Sequence, residues 1–238
     1  MRRLLLVVVL ALVTAGVASA AQPVSWAAAE IRVLGQDPAA FRPGDTVTRG
    51  ELAELFAQAT ETEPAAVAKP QVPLSIQDLD ARLVAALGLS AEAKAFAGSA
   101  RAAGLAPPSR FGTEVVARLL GLRKNHAAKH DALLERLPGG PASRAEAAYS
   151  LAQIVRFRGQ EVERLRSAAG AFQIPALTDW QRRILGTAFE LVGYPYVWGG
   201  TSGGYDCSGF VWAVYKLRAY SSSPLSATLK GRTTSPKA

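Results

Sequence analysis

Four short Ser/Thr-x-x-acid or amide patterns constrain this chain more than any other feature. They are Thr48–Glu51, Ser75–Asp78, Ser143–Glu146 and Thr178–Gln181, and each precedes an apolar stripe at helical spacing. In such a capping box the hydroxyl and the carboxyl or amide side chain each take one backbone N–H at a helix start. Leu52, Leu55 and Phe56 follow the first box, Leu79, Leu83 and Leu87 the second, and Ile184, Ala188 and Leu191 the fourth, with Trp180 on the same stripe. Four fixed helix starts, with no run of alternating apolar residues, predict a mostly α-helical chain.

Around these starts the punctuation is plain. Trp26 to Thr60 reads as helix, turn and helix, broken by Pro43-Gly44-Asp45. Prolines at 64, 70 and 73 predict a loop over 61–73, and Gly88 a helix stop. Residues 91–103 read as an alanine-rich helix, and another starts at Thr113. Residues 151–169 read as one charged, exposed connector helix, followed by a break over 169–175. Gly193 ends the helix that Thr178 opens.

The segment Phe41-Arg42-Pro43 followed by Thr48-Arg49-Gly50-Glu51 resembles the S-layer homology (SLH) module. Ser143-Arg144-Ala145-Glu146 repeats its second half, and Ser75–Asp78 is a weaker third copy at irregular spacing. The resemblance implies non-covalent binding of an anionic secondary cell-wall polymer; an ordinary helical domain with common caps is the other reading.

Near the end, Tyr194-Pro195-Tyr196-Val197-Trp198-Gly199-Gly200 leads through a glycine-rich loop to Asp206-Cys207-Ser208-Gly209-Phe210-Val211, which holds the only cysteine. Phe210, Val211, Val214 and Leu217 recur at helical spacing, and Asp206 suits an N-cap. Cys207 would then sit in the first helical turn, where the dipole and unpaired N–H groups favour thiolate. A small buried thiol is the alternative.

The motif resembles the nucleophile motif of the NlpC/P60 family, papain-like cysteine peptidases that cut peptidoglycan stem peptides. The likeness covers about 177–217. It implies an α+β core with Cys207 as nucleophile, Asp206 and Ser208 beside it in the substrate site, and Tyr196 lining the cleft. It also implies a histidine base well downstream, on a strand. No histidine follows Cys207, and no strand pattern follows either. A thiol peptidase needs that base to take and return a proton. The catalytic domain therefore reads as cut short before its sheet, and little or no hydrolysis is expected.

Arg2, Arg3 and the apolar run Leu4–Val13, before Ala18-Ser19-Ala20, read as an export signal cleaved before Ala21. A transmembrane anchor is the competing reading, but the run is short of the roughly 20 residues a span needs. No other stretch is long and apolar enough to span, so no transmembrane segment is expected after cleavage. A lone cysteine in an exported chain forms no internal disulfide, which favours a reactive thiol. The formal charge is +8, two of it from Arg2 and Arg3. In an exported chain this suits an anionic wall polymer or membrane surface rather than nucleic acid, although plain solubility explains it as well.

These readings divide the chain into a signal peptide (1–20), a helical SLH-like wall-binding region (21–158), a connector (159–176), the N-terminal part of a peptidase domain (177–218) and a disordered tail (219–238). The expected partners are peptidoglycan stem peptides and the wall polymer, in a secreted or wall-bound setting. No cofactor is expected. His126 and His130, at i and i+4, could share a helix face and hold a metal. No third ligand accompanies them, and Lys124 and Lys129 beside them favour a solvated face instead.

Overall fold

A computed structural model describes residues 25–124 and 136–215. The signal-like leader, the His126–His130 pair, Leu217 and the tail lie outside the described residues. The described part is helical, with isolated β-bridges as its only extended pairing.

Its helices are α1 (Ala28–Val33), α2 (Arg49–Thr60), α3 (Ile76–Ala86), α4 (Ser90–Ala102), α5 (Phe111–Leu119), α6 (Arg144–Arg156), α7 (Gln160–Ala171), α8 (Asp179–Glu190) and α9 (Cys207–Trp212). All four capping boxes are formed, at the starts of α2, α3, α6 and α8. Each satisfies two N–H groups that the first helical turn leaves without a partner.

Three of these starts are joined in a closed ring. The Val47 N–H donates to the Ala142 carbonyl, Ala142 to Leu74, and Leu74 back to Val47, each at 2.9 Å. Val47, Leu74 and Ala142 immediately precede the three cap residues, and all are buried. The next two N–H groups of each helix follow the same rule. Arg49 and Gly50 donate to Val72 and Pro70, Ile76 and Gln77 to Gly140 and Pro138, and Arg144 and Ala145 to Asp45 and Pro43. Ser75–Asp78, weak as a sequence repeat, is thus geometrically equivalent to the other two. Arg144 adds a cross-link between units. It donates to the Phe41 carbonyl at 2.8 Å and to Glu51 at 2.6 Å, with its guanidinium over the Phe41 ring.

One hydrophobic core runs under the ring and along the helices, through Ile31, Val47, Leu79, Leu83, Val116 and Leu151. Burying side chains of this size contributes about 1.5–3 kcal/mol each. Asp80 and Arg123 form an ion pair within it.

Some boundaries differ from expectation. The helix expected at Thr113 starts at Phe111, and Gly112, having no Cβ, lets α5 lie directly on the Ala93 backbone. The single helix expected over 151–169 is two, α6 and α7. Phe157 leaves the helical region and Gly159 adopts φ +85°, which turns the chain. α7 is not wholly exposed either. Leu165 and Ala169 are buried, Arg166 faces Glu92 on α4, and Phe172 packs on Phe96 at 5.1 Å.

α8 is apolar on two faces, where one stripe was expected. Leu185, Phe189 and Val192 pack on the main core, while Ile184, with Ala188 and Leu191, packs on Val214 just beyond α9. Trp180 lies at the edge of that second face, half-exposed, with its ring 5.7 Å from Tyr215.

Candidate functional site

The loop from Gly193 to Asp206 folds back on itself before α9 begins. Tyr205 is its pivot, donating to the Pro195 carbonyl and accepting from the Val197 N–H. Sequence reasoning passed over Tyr205; its signal is only that it sits beside Asp206. Asp206 caps α9, as its spacing to Gly209 suggests. Its Oδ1 accepts from the Gly209 N–H at 2.6 Å and the Ser208 hydroxyl at 2.8 Å, and its Oδ2 from the Gly199 N–H at 3.0 Å. The Gly209 bond, then the Ser208 and Gly199 bonds, hold this carboxyl below the usual aspartate range. One side chain therefore ties the helix start to the glycine loop.

Cys207 is the first residue of α9 and is exposed. Tyr196, from the other side of the loop, lines the same cleft as Cys207 and lies close enough to interact with it electrostatically. Desolvation, and then the nearby Cys207 and Asp206, push the Tyr196 pKa above the ordinary tyrosine value. Tyr196, Cys207, Asp206, Tyr194, Leu191 and Phe210 line a cleft of about 320 Å³. All four residues singled out in the sequence, Cys207, Tyr196, Asp206 and Ser208, thus fall in one cluster. Ser208 points its hydroxyl at Asp206 rather than into an open space.

The apolar face expected of the α9 run is only partly formed. Val214 is buried against Ile184, but Phe210 and Val211 are exposed, as is Trp198 at 78%. Gly209 plays a part that the sequence only hinted at. A Cβ there would overlap the Gly200 carbonyl oxygen, so the loop can lie on the helix only at a glycine.

A second concavity, about 370 Å³, lies between α2, the following loop and α3. Leu52, Phe56 and Leu83 give it an apolar side, and Arg49, Arg82 and Glu63 a charged one. Arg49 was part of a quoted motif, whereas Arg82 carried no signal of its own.

Residues 193–234 match the NlpC/P60 family. A 39-residue stretch is 49% identical to the gamma-D-glutamyl-L-lysine dipeptidyl-peptidase of Bacillus subtilis (strain 168), covering 16% of this chain and 13% of that protein. The chain thus spans only a small part of the relative it matches. No solved structure matches the chain. The family match and the named relative support a peptidase of the hydrolase class.

Proposed function

We propose that this protein is an exported, wall-bound cysteine endopeptidase acting on the stem peptides of peptidoglycan. The observation that carries the reading is the exposed Cys207 at the start of α9, in one cleft with Tyr196 and inside the stretch that matches NlpC/P60. In this reading the segment that begins at Leu177 is the N-terminal part of a papain-like core.

The Cys207 thiolate attacks an amide carbonyl, forming a C–S bond. Backbone N–H groups near the helix start receive the oxyanion, and the C–N bond then breaks as the amine leaves with a proton. Water hydrolyses the thioester, releasing the acid and restoring the thiol. The proton must pass through a base, and residues 208–238 contain no histidine. We therefore expect residues 1–238 by themselves to present an alkylatable Cys207 but to turn over little or no substrate.

The three-unit ring and the Arg49–Arg82 groove support a second role, retention on an anionic wall polymer. These features are independent of Cys207, and so they also suit the alternative of a non-catalytic wall-binding protein carrying a degenerate peptidase remnant. Incubation with purified muropeptides, comparing the parent with Cys207→Ala, separates the readings. Cleavage lost on substitution supports the peptidase. Cleavage that survives it overturns the thiol mechanism. No cleavage by either protein fits both the binding reading and a peptidase without its base, and wall-polymer retention in that case supports the binding role. Arg49→Ala with Arg82→Ala should then reduce that retention.

A further inference from the structure

We infer that the helical body is the platform on which the thiol site is built, and that Arg110 is the positioning residue that fixes one to the other. Arg110 precedes α5, and its guanidinium Nη2 donates to the carbonyls of Glu190 at 2.7 Å and Val192 at 3.0 Å. Those carbonyls belong to the end of α8, where no further helical turn supplies N–H donors. Beside them Phe111 stacks on Phe189, with ring centroids 4.4 Å apart. One residue further on, Gly193 adopts φ +90° and lies against Glu114 and Pro138, where a Cβ would come within 2.9 Å of both side chains. Pro138 also gives its carbonyl to Gln77 in the three-unit ring.

Three contacts of different chemistry thus converge on residues 189–193, and the chain passes from there through Tyr194 and Pro195 to Tyr196. The adjacent face of α8 carries Ile184 against Val214, beyond α9. Both arms of the thiol site, the Tyr196 loop and the Cys207 helix, therefore hang from α8, which Arg110 fixes to the body beside the packing of Leu185, Phe189 and Val192. A flexible tether would leave the end of α8 to water, whereas here it is held by charge-assisted bonds from a residue 80 positions away. The mounting is independent of the peptidase reading; only its consequence for Tyr196 and Cys207 rests on that reading.

The test is hydrogen exchange with mass-spectrometric readout on the purified full chain, comparing parent, Arg110→Ala, Arg110→Lys and the exposed-site control Arg101→Ala. Muropeptide hydrolysis plays no part in it, so failure here and failure of the peptidase reading are distinguishable. Loss of two hydrogen bonds is expected to speed exchange over residues 189–206 by about tenfold or more, leaving α2 and α6 unchanged. Iodoacetamide alkylation of Cys207 should show an altered pH–rate profile in Arg110→Ala and a parent-like one in Arg101→Ala. Arg110→Lys, which keeps a charged donor, should restore part of both. Unchanged exchange over 189–206, or an increase spread equally through α2 and α6, overturns the inference. Should Arg110→Ala fail to fold, Gly193→Ala decides by the same readout, with faster exchange confined to 189–206 in support and any other pattern against.

Discussion

The carbonyl oxygen of Gly200 rests on the α-carbon of Gly209, so the glycine loop and the thiol helix touch backbone to backbone. Nothing larger than hydrogen fits between them. Gly209→Ala should force the loop off the helix and destabilise this region by about 1–3 kcal/mol, the usual range for overpacking. Faster amide exchange over 199–206, with α2 and α6 unaffected, is the expected measurement.

Tyr196 should titrate differently once the Cys207 side chain is removed. Partial burial, the Cys207 sulfur and Asp206 together raise the Tyr196 pKa. Removing the sulfur in Cys207→Ala leaves burial and Asp206, so Tyr196 should ionise at lower pH than in the parent. A spectrophotometric alkaline titration, referenced to Tyr196→Phe to isolate this phenol, measures the shift. An unchanged or higher value would contradict the contact.

Acid should loosen the loop before it unfolds the body. The Asp206 carboxyl is held low in the native state, first by the Gly209 N–H, then by Ser208 and Gly199. Between the native and unfolded values the unfolded chain binds more protons, so stability rises with pH there. The contribution is complete above the ordinary aspartate range, about pH 4, and is lost as pH falls through the lowered native value. In Asp206→Asn this acid-side change in the exchange of 199–209 should disappear.

The three ring units should be energetically alike. Thr48→Ala, Ser75→Ala and Ser143→Ala each remove a hydroxyl that accepts from the N3 N–H. Each should cost about 1 kcal/mol, read as a lower urea midpoint with an unchanged slope. A near-zero effect at Ser75 alone would show that the middle unit is not equivalent.

The sequence made the helix starts legible because a capping box is local: both partners lie within four residues. Asp206 as N-cap was legible for the same reason. The ring was not, since a hydrogen bond such as Ala142 to Leu74 joins backbone groups far apart in the chain and leaves no side-chain trace. Arg110 carries no local signal of its role, because its carbonyl partners lie 80 and 82 positions further on. The second face of α8 repeats the spacing of the first one residue later, Leu185, Phe189 and Val192 after Ile184, Ala188 and Leu191, and nothing local says which face meets which partner. The clustering of Tyr196, Asp206, Ser208 and Cys207 was legible from the quoted motif. That Ser208 is turned onto Asp206 was not.

The circular arrangement of Val47, Leu74 and Ala142 demands that three backbone segments meet, and it sets no limit on how much chain runs between them. The excursion from Ser75 to Ser143 is more than twice as long as that from Thr48 to Ser75, yet the circle closes with equal bond lengths. Closure entropy grows only slowly with contour length, so the additional chain carries a small thermodynamic burden. That excursion contains α4 and α5, the helices that carry Phe96 and Phe111 to the residues around α8. The irregular spacing of the repeat is therefore the place where a symmetric hub makes room for an asymmetric attachment.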